Sequence, residues 1–466
     1  MIEQIINFTN DALYSYILII LLVLGGIYFT IRTRFAQFRL LGQQFKAVTE
    51  KTEENGVSSF QALMVSTASR VGTGNIIGVA TALCVGGFGS VFWMWLIAII
   101  GAASAFVEST LAQIYKKRGK DGCYGGPAYY IEAAMKKRWL AVIFSVFLIL
   151  TYGVGFNMLA SYNLQSTFSS YGFYHPSYTP WIIGFVIAAL VGYCLIGGGK
   201  RIVSVTSFIV PIMGALYIIV AIVICGINFK LLPDIFKQIF EGAFDLEAIL
   251  GGFGGSCVMY GIKRGLFSNE AGVGSAPNAS ASADVSHPAK QGLVQVLSVF
   301  IDTILVCSAT AFMCMSSGVT PPVGSGQAAT YVQQALSATL GKTGPIFITV
   351  AMVFFAFTTL LGNLFYVDKT INYLLGKEPS KAVRNIYYVI ASIVIFVGAG
   401  LSADLLWGVA DIMMGGMTLI NMPVIIVLGK YAFRALKDYE RQLKAGGKIT
   451  FRSKDIDLPH ETDYWN

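Results

Sequence analysis

The stretch SRVGTGNIIG, residues 69–78, sets Arg70, Thr73 and Asn75 among Gly72, Gly74 and Gly78, in a region otherwise apolar enough to cross a bilayer. A second stretch, GIKRGLFSNEAGVGSAP (261–277), repeats the theme with Gly265, Asn269, Gly272, Gly274 and Pro277. Glycine and proline weaken a helix, and an asparagine amide at the break satisfies backbone groups that lipid cannot. An interrupted membrane helix bares peptide dipoles. Amides at a half-helix N-terminus suit a carboxylate, and unpaired carbonyls suit a small cation. Close helix packing through small residues is the competing explanation, and it fits Gly197–Gly199 better than GTGN. Enzyme chemistry has no comparable basis: there is no clustered His/Asp/Glu set, no metal triad and no nucleophile with a base. ATP drive is unsupported as well, because Gly199–Lys200 is followed by Arg201 and no phosphate loop occurs.

Breaks of this kind need membrane helices to carry them. The chain has 466 residues, 55% hydrophobic and 12% charged, where soluble domains carry about 25% charged. The apolar runs are continuous rather than alternating, which predicts an all-α polytopic membrane protein and not a β-barrel. The first run, 13–28, has no basic region before it and no clear cleavage site, so it reads as a retained helix. Apolar windows predict about eleven spans, near 13–31, 58–83, 89–114, 140–167, 180–197, 202–226, 247–267, 291–318, 345–374, 386–402 and 405–432. Most of the 33 Lys and Arg, with Lys263, Arg264 and Lys290 counted among them, fall in one set of alternate loops and in the segment after Gly429. That bias predicts the N-terminus outside and the C-terminus in the cytoplasm of a cell-membrane protein. The net charge of +8 then faces anionic lipid headgroups and calls for no nucleic-acid partner. The seven cysteines lie mostly in apolar spans and read as small buried hydrophobes.

The two breaks fall in spans two and seven. They are offset by five spans, an odd number, so two five-helix units of opposite orientation follow, with one extra helix before them. The predicted organisation is an extra helix and basic loop over 1–57, a first unit over 58–226, an outer segment over 227–246, a second unit over 247–432 and a cytoplasmic tail over 433–466. Leu231, Ile235, Phe236, Ile239 and Phe240 recur at helical spacing and predict an amphipathic helix at the interface. The outer loop 316–344 is expected to cap a vestibule. Charges within spans are costly and usually functional. Glu108 is placed to brace the broken helices, Asp302 to pair with Arg70, and Glu270 sits at the second break. A neutralised structural pair explains each acid as readily as ion coordination. Lys369 most simply snorkels to the headgroups. No histidine is embedded, since His175, His287 and His460 fall in loops or tail.

Three further motifs sharpen the reading. GGFGSVFWMWLIAIIGA (86–102) directly after RVGTGNIIGVATAL, GCYGGPAYYI (122–131) and GLFSNEAGVGSAP (265–277) resemble the signatures of the alanine/glycine:cation symporters over nearly the whole chain. The resemblance implies a bacterial or archaeal Na+-coupled importer of small neutral amino acids. It also implies the leucine-transporter (LeuT-like) 5+5 inverted-repeat fold, plus one helix. By similarity, backbone amides near Thr73 and Gly74 take the substrate carboxylate, the Arg70 carbonyl takes its ammonium, and Asn75 closes the V-G-x-G-N run. Gln165 and Phe267 line and close the pocket. The cation sits between carbonyls of Ala68 and Val71 and the ninth span's Phe355 carbonyl, Thr358 and Thr359. Five oxygens of low net charge suit a monovalent ion, whereas a divalent ion would want carboxylates. Thr358 and Thr359 are also able simply to bond back to their own helix. The family pattern has tryptophan where this chain has Asn363. Asparagine there removes a ring and adds a donor–acceptor pair, which points to glutamine or asparagine as substrates beside alanine and glycine. The alternatives are a proton-coupled carrier and, further off, a non-transporting sensor or channel. No organic cofactor and no obligate protein partner is implied.

Overall fold

The computed structural model describes residues 2–50, 56–119, 122–245, 257–459 and 462–466. Helix dominates, as a chain with no water to satisfy its peptide groups requires. Among the described residues, eight helices are long and apolar enough to cross a membrane, and a ninth span is a pair bent by 51° at Arg70–Gly74. The chain opens with α1 (2–32), continuous through a π-turn at Leu13–Ile17. The bent span is α2 (Ser59–Arg70) followed, beyond a π-turn at Gly74–Gly78, by α3 (Val79–Gly86). Ser58 and Gln61 start α2 with a reciprocal capping box.

Next come α4 (Ser90–Ile114), the hairpin β1 (Lys117–Gly119) and β2 (Gly122–Tyr124), and α5 (Pro127–Met135). Then follow α6 (Arg138–Ser166), α7 (Thr179–Ile196), α8 (Gly198–Ile227) and α9 (Leu232–Ala243). The second broken span is α10 (Cys257–Asn269) and α11 (Pro277–Ser282). After it come α12 (Pro288–Met315), α13 (Ala328–Leu340), α14 (Thr343–Leu375), α15 (Lys381–Gly398) and α16 (Ala403–Ala445). The expected span 247–267 lies partly outside the described residues; its described portion is the start of α10.

Burial sorts these helices. The apolar window of α4 is 72% buried, whereas those of α8 and α15 are 28% and 22% buried and present Phe208, Leu216, Ile386 and Ile393 outward. Helix α4 is therefore the central post, in contact with α10, α11, α12 and α16. Helix α14 packs on α2, α6 and α8. The amphipathic segment is helical as expected: Ile235 and Ile239 of α9 are buried, while Phe236 and Phe240 remain half-exposed.

Three expectations change. Lys263 and Arg264 are not loop cations. They lie on buried α10, and both donate to Asp411 Oδ2, at 2.9 and 2.8 Å. Paired charges inside a helix mimic a loop in hydropathy. The stretch 316–344 is more than a cap, since α13 buries Tyr331, Val332, Ala335 and Leu336 against the bundle. The last span does not stop near 432; α16 runs to Ala445 and keeps Leu436 and Tyr439 buried.

Candidate functional site

Both expected breaks are present. In the first, Val71 leaves helical geometry at φ −76°, ψ 87°, its N–H still bonded to the Thr67 carbonyl at 2.7 Å. Asn75 Oδ1 accepts the Gly72 N–H at 2.8 Å, and the Asn75 N–H goes to the Gly72 carbonyl at 3.1 Å. In an uninterrupted helix those two N–H groups would serve the carbonyls of Ala68 and Val71, four residues earlier. The asparagine that caps the break thus takes the helical donors from two carbonyls, the two expected to face a cation.

The partner surface is α14. A Cβ on Gly72 would lie 1.9 Å from Thr359 Oγ1, and one on Gly362 would lie 2.6 Å from the Ser69 nitrogen and 3.1 Å from the Ala68 carbonyl carbon. Backbone-to-helix approach this close admits only glycine. It holds Thr359 directly over the break. Thr359 Oγ1 is buried and has no hydrogen-bond partner. Thr358 bonds back to its own helix, at 2.9 Å to the Phe354 carbonyl and 3.2 Å to that of Phe355, and keeps only its lone pairs.

The second break turns at Glu270, φ +53°, then Gly272 at +84° and Gly274 at +92°. A residue with a Cβ is strained at the first of these, and hydrogen bonds hold it there. Glu270 Oε1 accepts from Ser69 Oγ at 3.0 Å and Oε2 from Ser275 Oγ at 2.6 Å, tying the second break to the end of α2. The brace expected of Glu108 is present. Its carboxylate takes the Gly272 N–H at 3.3 Å and Asn421 Nδ2 at 2.9 Å, while Asn421 also donates to the Gly272 carbonyl.

Asp302 does not pair with Arg70. It accepts from Asn75 Nδ2, Ser268 Oγ and Thr303 Oγ1, each at 2.7 Å, so it fixes the hinge asparagine instead. Arg70 Nη1 donates to Gln295 at 2.8 Å, and its Nε and Nη2 have no partner. Both Asn75 and Asp302 sit in π-turns, which recur at functional points of helices.

Above Gly74 lies Phe267. A Cβ on Gly74 would stand 2.7 Å from its ring. Phe156 and Trp407 flank that ring, at 4.6 and 4.8 Å between centroids, and Arg264 lies 4.0 Å over Trp407. Gln165 bonds to Tyr174 at 2.9 Å, and the α6 side chain bonded to the break is Asn163, which donates to Thr73 Oγ1 at 3.2 Å. Asn363 is fully buried. Its Oδ1 lies 2.7 Å from Ser69 Oγ, whose one proton is shared between this oxygen and Glu270, and its amide donates to Asn157 at 3.0 Å. Asn157, Asn163, Ser268 and Trp407 escaped the sequence because nothing local distinguishes them; only the bundle brings them to the breaks.

Two facing breaks, stripped carbonyls and a partnerless hydroxyl belong to a secondary transporter. Residues 1–453 match the model of the sodium:alanine symporter family. The chain is 41% identical over 464 residues to the amino-acid carrier protein AlsT of Bacillus subtilis (strain 168), covering 99% of this chain and 97% of that one. It is 42% identical over 459 residues to the probable sodium/glutamine symporter GlnT of the same organism, covering 98% and 94%. Among solved structures, a Na+-coupled sialic acid symporter in a substrate-bound outward-open state shares the fold, with TM-score 0.51 and 15% identity over 94% of this chain and 91% of that one. The chain belongs to the sodium:alanine symporter family, whose members couple amino acid movement to sodium.

Proposed function

We propose that this chain imports small neutral amino acids with Na+ by alternating access, and that the first break holds both cargoes. The cation is assigned to the Ala68, Val71 and Phe355 carbonyls with the Thr358 and Thr359 hydroxyls. The observation that carries this is the Asn75 cap, which strips two carbonyls of their helical donors beside the buried, partnerless Thr359 hydroxyl. An unpaired buried polar group is costly, so a cation that satisfies the Thr359 hydroxyl beside two carbonyls deprived of their helical donors binds with that cost returned.

The amino acid is assigned to the amides near Thr73 and Gly74, the Arg70 carbonyl and a side-chain space under Phe267, with Asn75 holding the break open. Thr359 faces both cargoes and couples them. Asn363 and Gln165 act one layer out, through Ser69 and Asn157 and through Tyr174. The substrates are alanine and glycine, with glutamine or asparagine admitted because Asn363 stands where the family pattern has a large ring. Glu108, Glu270 and Asp302 position the breaks rather than bind the ion, since each carboxylate is occupied by hydroxyl or amide donors. The basic loops, Arg34, Arg39, Lys117, Arg118 and Lys377 among them, face the cytoplasm. Units 58–226 and 247–432 form the inverted pair.

Uptake into proteoliposomes tests this. Labelled alanine or glutamine should accumulate uphill, saturably, only with an inward Na+ gradient; accumulation indifferent to Na+ would refute the assignment. A competition panel of neutral L- and D-amino acids decides the side-chain range. Exclusion of glutamine and asparagine would refute the part given to Asn363.

A further inference from the structure

On the face that carries the basic loops, the ends of the two broken spans are joined. Val57 and Ala283 form a parallel bridge, with the Asp284 N–H bonded to the Val57 carbonyl at 2.9 Å. Val57 also packs on Ala62, Ala283 and Val285 in a small cluster of its own. The end of α4 grips the same point: Gln113 Nε2 donates to the carbonyls of Ser280 and Ala283 at 2.5 and 2.9 Å, and Lys116 Nζ to that of Ala283 at 3.0 Å. Residues 462–466 lie on this seal. Trp465, 6% exposed, donates from Nε1 to the Gln113 carbonyl at 2.7 Å, and Tyr464 donates to Asp284 Oδ1 at 2.9 Å. The Lys116 ammonium sits 3.9 and 4.8 Å from the two ring centroids, and Asp463 accepts the Arg118 N–H at 2.9 Å. Phe451 packs edge-on against Trp465, whose carbonyl accepts the Ser453 N–H at 2.7 Å.

We infer that residues 462–466 are a latch on the inner seal. Tyr464 and Trp465 hold Asp284 and Gln113 in the geometry that keeps α2 and α11 joined, and the latch must lift before the pathway opens on that face. The contacts themselves fix where the segment docks. The segment supplies partners to the Gln113 carbonyl and the Lys116 ammonium, whereas the Val57–Ala283 bridge and the bonds from Gln113 and Lys116 to Ser280 and Ala283 are made without it, so the segment reinforces a joint it does not itself form. An aromatic pair clasping a buried ammonium is strong enough to bias a two-state seal and weak enough to release. The direction of opening rests on the transporter reading above.

The test uses the full chain, purified in detergent with Na+, carrying Ala62→Cys in a Cys123→Ser background. Ala62 is fully buried between the joined ends, so its replacement thiol reports parting of the seal. Trp465→Ala should raise its maleimide labelling rate about ten-fold, the equivalent of one lost ring contact. Tyr464→Phe, which deletes one hydroxyl, should raise it about three-fold. Na+-dependent amino acid binding should survive in both variants. Labelling unchanged in both would overturn the latch. If Trp465→Ala fails to fold, as lost binding would reveal, Tyr464→Phe decides alone. Absence of any Na+-dependent uptake in the parent would strike the transport reading and leave the labelling result standing.

Discussion

Thr358 and Thr359 are adjacent hydroxyls with different commitments, one bonded back to its own helix and one buried without a partner over Gly72. Thr359→Val keeps the shape and removes the oxygen. The Na+ concentration for half-maximal uptake should then rise about ten-fold or more, the loss of one oxygen of order 1.4 kcal/mol. A Na+ titration of uptake measures it, and an unchanged midpoint would place the ion elsewhere. Gly74 makes a second residue-level case. Any Cβ there meets the Phe267 ring, so Gly74→Ala should abolish amino acid binding in equilibrium dialysis while thermal unfolding stays within a few degrees of the parent. Asn363 makes a third. Both its amide atoms are spent on Ser69 and Asn157, so Asn363→Ala strands two buried partners and should cost about 1–3 kcal/mol, visible as a lowered Tm. At this scale the sequence singles out Asn75, Thr358 and Thr359, because Asn75 stands among glycines and Thr359 beside Thr358. It misplaced the partner of Asp302, since Arg70 and Asn75 are equally near in sequence and only packing chooses between them.

Helices set these residues within reach, and glycine sets how near. Gly362 brings α14 onto the main chain of α2 at Ala68 and Ser69, where no flexible side chain is available to yield. Gly362→Ala should therefore overpack, costing about 1–3 kcal/mol in thermal stability and weakening Na+ dependence together. The breaks were legible because glycine, proline and asparagine are local signals. The role of Glu108 as a brace was legible but its partners were not: it reaches Gly272, and Asn421 reaches both, at separations far beyond any local pattern. Lys263 and Arg264 resembled a loop because hydropathy records charge and is blind to the Asp411 that neutralises it. The start of α12 offers a pH test. His287 caps it through Nδ1, accepting the Ala289 N–H at 3.1 Å, which leaves Nε2 to donate toward Asp438 at 3.4 Å. Burial lowers the His287 pKa below the usual value; Asp438 and Asp455 oppose that, and Lys290 adds to it. The unfolded chain takes up a proton near pH 6.5 that the folded state refuses. The stability is fully present above about pH 6.5 and is lost as pH falls below it. His287→Asn keeps a cap acceptor and should flatten Tm between pH 7.5 and 5.5, whereas equal slopes in parent and variant would clear His287 of the effect.

At the scale of the whole molecule, the proposed halves each open on a broken span followed by four further spans, and the start of the first broken span meets the end of the second at one main-chain bridge. The charge bias behind the proposed orientation is unaffected by moving Lys263 and Arg264 into the bundle, because the loops at 32–46, 116–138 and 377–384 and the segment after Gly429 still carry most of the cations. A carrier must expose its site to one face at a time, and on the reading proposed above the joint between the start of the first broken span and the end of the second is what shuts the face that carries the basic loops. Val57 and Ala283 are paired as neighbouring strands are, about 5 Å apart, which is within the Cα separation a disulfide spans. Val57→Cys with Ala283→Cys, oxidised, should therefore stop net uptake almost completely. The same protein should still bind amino acid in a Na+-dependent way, since the first break is left as it is and the opposite face stays free to open. Reduction with dithiothreitol should restore transport. Full uptake with the cross-link quantitatively formed would mean that the two halves move without parting there, and the seal would then be a structural tie and not a gate.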